Sequence, residues 1–268
     1  MEGLVSDSAI SCSLPELFTL ASLLGGEVVI GVPDPFSGWL VEEIEEVAEK
    51  AHHTLVERNY LSVQPDGKIL MDAVVAALVG TITYPQAILI VTDTTPDRES
   101  RRINLYHRSP MTVALTVEEE RVVLKPLPTE AIADEILKTW QILAQKPAPA
   151  TPFSIPEEIL RQAKESLPSE EEARRFLEEA EVAPADAGAL VEALAAPRRS
   201  GTLVAMRRHR ENWDVKGVVA LEGRNGLWLL RSFSRNQISW VECVPCSATK
   251  MQEEVRSLTR RFVFQEEV

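Results

Sequence analysis

The chemistry most readily available to this chain lies at Cys243-Val244-Pro245-Cys246. A Cys-x-x-Cys pair at a strand-to-helix junction can have a thiol pKa lowered by the helix N-terminus and close a reversible disulfide. The thioredoxin fold needs further strands and a helix after such a motif, and only residues 247–268 follow it. A structural zinc site needs about four ligands, and Cys12, His52, His53, His107 and His209 lie far apart in the sequence. The motif is therefore expected to serve as a strand exit and helix cap. His52-His53 falls on a helix, where neighbours diverge by about 100°, so the pair predicts one half-buried and one exposed ring rather than a chelate. Asp93, Asp97 and Glu99 could hold a divalent cation through their oxygens. Arg98, Arg101 and Arg102 stand among them and favour a mixed-charge loop. Glycine-rich phosphate loops, the G-x-S-x-G elbow and the H-E-x-x-H pair are absent from the sequence. The expectation is a protein that binds rather than catalyses, with no catalytic residues, no metal and no cofactor.

A binding reading looks for charge and aromatic contrast. Residues 1–145 carry 22 acids and 10 bases, net −12, while the remainder carries 19 and 18, net −1. Within the second half, residues 198–235 hold nine Lys or Arg against three acids. A net charge of −13 disfavours general binding to nucleic-acid phosphates. The basic segment contains Arg207-Arg208-His209-Arg210 and lies among Trp213, Trp228 and Trp240. Arg and Trp are enriched at binding hot spots, and a basic patch on an acidic protein steers acidic partners. Arg207, Arg208, Arg210, Trp213 and Trp228 are the candidate partner-binding residues. Strand alternation puts Arg208 and Arg210 on one face with Met206, and Arg207 on the other. The competing reading makes the tryptophans core and pairs the arginines with the chain's own glutamates.

The elements that position these residues form a unit that recurs. After Tyr84-Pro85 come apolar runs at 87–92, 103–106, 111–117 and 121–124, with a polar loop over Asp93–Arg102 and Glu118-Glu119-Glu120 between the last two. Pro126-Leu127-Pro128-Thr129 then opens a helix at 130–140. After Pro197 come runs at 203–206, 215–221, 227–233 and 237–241, with a polar loop through Asn212 and Asp214, and then a helix at 247–262. Pro85 matches Pro197, Val113 matches Trp228 and Pro128 matches Pro245, at offsets of 112, 115 and 117, a drift that loop insertions produce. The order predicts an internal duplication.

Before the first meander, Ser13 caps a helix at 14–24 that Gly25-Gly26 stops. A strand is expected at 27–32 and a long amphipathic helix at about 39–59. A hairpin turning at Pro65-Asp66-Gly67 follows, then a small apolar helix at 73–81 capped by Asp72. The Pro/Ala stretch Gln145–Pro152 favours extended polyproline II. Domain boundaries are set there: an N-terminal α+β half at 1–146, a linker at 147–153 and a C-terminal half at 154–268. Three helices open the second half, near Ser154, at the Ser169-to-Glu172 capping box, and after Ala183-Pro184. No apolar run approaches the 18 residues of a membrane span. The first residues lack a positive region, so a soluble cytoplasmic protein is expected.

Four of these segments carry a resemblance: Leu14–Leu24, Leu55-Val56-Glu57-Arg58-Asn59-Tyr60-Leu61, the Asp66-Gly67 turn, and Asp72–Val79 leading to Tyr84-Pro85. Together they resemble the EspG family of ESX (type VII) secretion-associated chaperones. The resemblance runs over about residues 13–143 and continues in the second half by architecture, although the Arg-rich content there departs from it. It implies an α+β fold of two pseudo-symmetric halves sharing a central antiparallel sheet, each half with helices, a meander and a closing helix. It also implies a cytoplasmic chaperone that holds a helical secretion substrate, of PE/PPE or WXG type, soluble before export. No nucleic acid and no membrane insertion are expected, and a homodimer is compatible with the sequence. The alternative is an enzyme or small-ligand-binding protein with a site between the halves.

Overall fold

The computed structural model describes residues 9–118, 121–142, 146–210 and 212–264. The turn expected at Glu119-Glu120 and the linker residue Gln145 lie outside the described residues. The fold is α+β, with an antiparallel sheet of ten strands and a separate two-stranded hairpin. Compactness divides the chain into Met1–Ile88 with Ile103–Ile132, and Leu89–Arg102 with Ala133–Val268.

The first unit holds β1 (Ile10–Ser13), α1 (Leu14–Leu23), α2 (Val41–Glu57), β2 (Leu61–Val63), β3 (Ile69–Met71) and α3 (Ala73–Thr83). It also holds parts of β4 (Ala87–Thr95) and β5 (Arg98–Arg108), with β6 (Met111–Glu118) and β7 (Arg121–Leu127). Its strands run in the order β1-β7-β6-β5. Ser13 and Glu16 form a reciprocal capping box at the start of α1, 3.3 and 2.7 Å. The α1 helix ends at Gly25, whose φ of +81° suits glycine. A Cβ at Gly26 would lie 2.2 Å from Thr83 Cγ2, so only glycine allows the ends of α1 and α3 to meet this closely. Asp72 caps α3 by accepting from Val74 and Val75 N–H.

Two expectations in this part of the chain change. Residues 27–32 form no strand: Gly31 turns with φ +88°. The carbonyls of Ile30 and Gly31 accept instead from Tyr106 Oη (2.6 Å) and Asn104 Nδ2 (2.9 Å). The polar run Asp93–Arg102 is a strand hairpin rather than a loop, because β4 continues to Thr95 and β5 begins at Arg98. Thr94 Oγ1 lies 3.0 Å from Ser100 Oγ across it. Residues 98–102 are exposed, so this end of β5 needs no apolar alternation.

The second unit continues with α4 (Ile132–Trp140), β8 (Phe153–Pro156), α5 (Glu157–Glu165), α6 (Glu170–Glu179) and α7 (Pro184–Ala195). The meander is β9 (Arg199–His209), β10 (Asn212–Glu222), β11 (Leu227–Arg235) and β12 (Ile238–Cys246), closed by α8 (Ala248–Thr259). Strand order is β9-β10-β11-β12-β8. Leu160, Ala163, Leu177, Leu190 and Val191 of α5–α7 share a core with Leu221, Trp228, Leu230, Val241 and Cys243 of the sheet. Arg231 points to the opposite face and reaches Glu254 of α8 (3.1 Å). The linker is laid along the sheet: Leu227 N–H donates to Lys146 C=O (3.0 Å) and Ala148 N–H to Leu227 C=O (3.3 Å).

The element order repeats. In each half a short strand, helices, a four-strand meander and a helix follow in turn, and the short strand pairs with the last meander strand (β1 with β7, β8 with β12). Neither β1 nor β8 was expected, and Ser154 sits in β8 rather than at a helix cap. Register also refines the proline match. Val113 faces Pro126 and Trp228 faces Pro245, so Pro126 is the counterpart of Pro245. Pro128 takes the place of the α8 N-cap, Ser247.

Candidate functional site

The β9–β10 hairpin carries the basic segment. Its pairing is unbroken from Arg199↔Glu222 to His209↔Asn212. The expected polar loop is thus two strands, with Arg210 (φ +55°) following β9 directly. Alternation then sorts the side chains. Val219 and Leu221 pack against the α5–α7 core. Counting outward by twos, Gly217, Val215 and Trp213 share that face, as do their partners Val204, Met206 and Arg208. Ser232 lies beside Gly217, its hydroxyl donating to the Gly217 carbonyl (3.4 Å). Ser234 pairs with Ser239 on the same face. The outer sheet therefore presents a strip beyond the helices with small Gly and Ser positions, an exposed Val215, a half-buried Trp213 and an exposed Arg208.

The five candidate residues separate accordingly. Arg208 and Trp213 are cross-strand partners on the strip. Arg210 is exposed in the turn, its carbonyl accepting from Arg208 Nε (3.4 Å). Arg207 lies on the other face, where Nη1 donates to Phe262 C=O (2.9 Å), which makes it an anchor for the chain after α8. Trp228 is 1% exposed, edge-on to Phe153 (6.0 Å) inside the α5–α7 core. Its place in the surface set is corrected: the β11 alternation that buries Leu230 buries it too. Val215 and the serines were missed, because their role depends on where the helices stop covering the sheet.

Elsewhere the arginines answer the chain's own acids. Arg161 pairs with Glu158 and Glu165, each at 2.5 Å, and Arg174 with Glu170 at 3.3 Å. Such exposed pairs add little stability. Asp93 is buried, with Arg199 Nε 3.4 Å away. Burial pushes its carboxyl above the usual range, against the pull of Arg199, Arg101 and Arg98. Arg199 also donates to the carbonyls of Trp140 and Gln141 at the end of α4.

The cysteine motif ends β12 at the strand exit into α8, as expected, but the cap itself is Ser247; Cys243 and Cys246, three residues apart, point to opposite faces. Both are buried free thiols, pushed up to about 12 and about 11 by desolvation first. Cys12 is raised likewise, to about 12. His52 is half-buried and His53 exposed, with ring centroids 6.2 Å apart. Among the described residues no cluster of three or more His, Cys, Asp or Glu is placed to hold a metal ion. No described helix is long and apolar enough to cross a membrane.

The architecture now has a counterpart at the level of sequence. The sequence model of the EspG family matches residues 13–257, and the chain belongs to that family. Its fold is similar to that of EspG5, the Mycobacterium tuberculosis type VII secretion system chaperone, solved in complex with the PE25-PPE41 dimer. The TM-score is 0.68 at 16% sequence identity, over 97% of this chain and 99% of that one. No curated protein matches the chain significantly.

Proposed function

We propose that this chain is a cytoplasmic chaperone that holds a helical type VII secretion substrate, of PE/PPE or WXG-like type, soluble before export. The observation that carries the reading is the strip beyond α5–α7. Gly217, Ser232, Ser234 and Ser239 let a helix backbone approach closely, Trp213 and Val215 supply apolar contact, and Arg208 and Arg210 steer acidic groups. An amphipathic helix laid across such a strip buries its apolar face there. Membership of a chaperone family supports the same conclusion. An enzymatic reading gains nothing from the cysteines, since thiols raised to about 11–12 are protonated at neutral pH and poor nucleophiles.

The test is capture of a PE–PPE heterodimer from the source organism, measured by titration calorimetry. Val215→Asp places a charge on the strip where the partner would desolvate it, and should weaken binding at least tenfold. Trp213→Ala should do the same if Trp213 is an anchor, about 2 kcal/mol or more. Arg208→Glu should slow association, less so at high salt, because exposed charges are screened beyond about 8 Å at physiological ionic strength. Unchanged affinity in both Val215→Asp and Trp213→Ala would remove the strip from the account. We also infer that residues 1–146 and 154–268, on either side of the linker 147–153, derive from one duplicated unit; the repeated element order supports this.

A further inference from the structure

We propose that the first half of α2, with the aromatic loop before it, is a docking surface for a basic amphipathic helix of a second protein, distinct from the substrate proposed above. Helix α2 has 17 residues, yet only Ala51 and Leu55 are buried, both in its C-terminal half. Val41, Ile44, Val47 and Ala48 fall at three- and four-residue steps and make one apolar stripe. Ile44, Val47 and Ala48 are half-buried, and the exposed part of the patch lies at the start of the helix: Leu40 and Val41 are each 67% exposed, with Trp39 before them at 46%. Scattered exposed apolar residues are ordinary, whereas three consecutive large ones at a helix start, continuous with a half-buried stripe, make a patch that marks an interaction site.

The patch is also built rigidly. Phe18 of α1 meets Phe36 edge-on at 6.2 Å, and Phe36 meets Trp39 edge-on at 6.0 Å. Phe36 N–H donates to Asp34 Oδ1 (2.9 Å), and Leu40 N–H to Glu43 Oε2 (2.9 Å), fixing the entry into the helix. A presented Trp with its neighbours already ordered is the usual form of a binding anchor, because little side-chain entropy remains to be lost.

Charge identifies the occupant. Residues 41–49 carry Glu42, Glu43, Glu45, Glu46 and Glu49 and no Lys or Arg. Of these, Glu46 is paired with Lys50 (2.6 Å). An apolar stripe bordered by this many carboxylates repels a second copy of itself and repels an anionic lipid surface. It complements a helix whose own apolar stripe is flanked by Lys and Arg.

The test uses the full chain and two synthetic 18-residue helical peptides with the same leucine stripe, one with lysine and one with glutamate on the polar face. Fluorescence anisotropy should show the lysine peptide binding, more weakly at 0.5 M salt, and the glutamate peptide not binding. Leu40→Asp and Val41→Asp should each weaken the lysine peptide at least tenfold although each adds a negative charge, which separates the apolar contact from general attraction. Both side chains are exposed, and circular dichroism confirms the fold of each variant. Trp39→Ser is a further probe of the same patch. Each variant should keep wild-type affinity for the PE–PPE heterodimer, so failure here is distinguishable from failure of the substrate reading. The proposal is overturned if the lysine peptide binds wild type and variants alike. It is equally overturned if sedimentation shows a wild-type dimer that Leu40→Asp dissolves, since a second copy would then be the occupant.

Discussion

Gly201 and Trp140 give the sharpest test of how α4 is held on β9. A Cβ at Gly201 would lie 2.6–2.7 Å from Cδ2, Cε2 and Cγ of the Trp140 indole, where ordinary contact begins near 3.4 Å. Trp140 is fully buried, so the ring can move aside only by displacing its neighbours in the core. Two effects of Gly201→Ala then oppose each other. Loss of glycine freedom in the unfolded chain stabilises by about 0.4–1 kcal/mol. Forcing the indole aside by most of an ångström costs about 1–3 kcal/mol, as overpacking does. Overpacking is the larger effect, for a net loss of up to about 2.6 kcal/mol. Trp140→Ala should cost about 3–5 kcal/mol through its cavity. In the double variant the added methyl points into that cavity, so the Gly201→Ala penalty should vanish or reverse. A urea-denaturation cycle should therefore show coupling of at least about 1 kcal/mol. Additive effects, or a Gly201→Ala variant at least as stable as wild type, would refute this packing.

The buried thiols should label with iodoacetamide only slowly at pH 8 in the folded chain and fully in urea; fast labelling of Cys243 would contradict its place in the core. Asp93 has a raised carboxyl pKa, so its proton is bound more tightly in the folded state. Its penalty therefore grows as pH rises from the unfolded value of about 3.8 through the folded one, and is constant above. Asp93→Asn should flatten that part of the stability–pH curve, and an unchanged slope just above pH 3.8 would show that Asp93 is not the group responsible.

Much of the architecture was legible in the sequence because it rests on local signals. Ser13, Asp72 and Ser169 announce helix starts through caps, and Gly25-Gly26 and Pro65-Asp66-Gly67 announce stops and turns. The features that were missed depend on non-local pairing. β1 and β8 are four residues each, too short for alternation to register, and they exist because β7 and β12 offer an edge. Residues 93–102 and 207–214 read as loops because polar residues fill strands that extend beyond the cover of helices. The site was half legible: Arg208 and Trp213 stand out by type, whereas Val215, Ser232 and Ser239 gain meaning only from cross-strand register. Trp228 misled for the same reason, since a tryptophan's type does not say which face of β11 it takes.

Hydrogen–deuterium exchange of the chain alone and bound to a PE–PPE heterodimer tests the central claim most directly. Slowed exchange on binding is expected at residues 204–209, 212–217 and 232–239 and along α5 and α6. Protection confined to residues 10–85, with the outer ends of β9 and β10 unchanged, would contradict it.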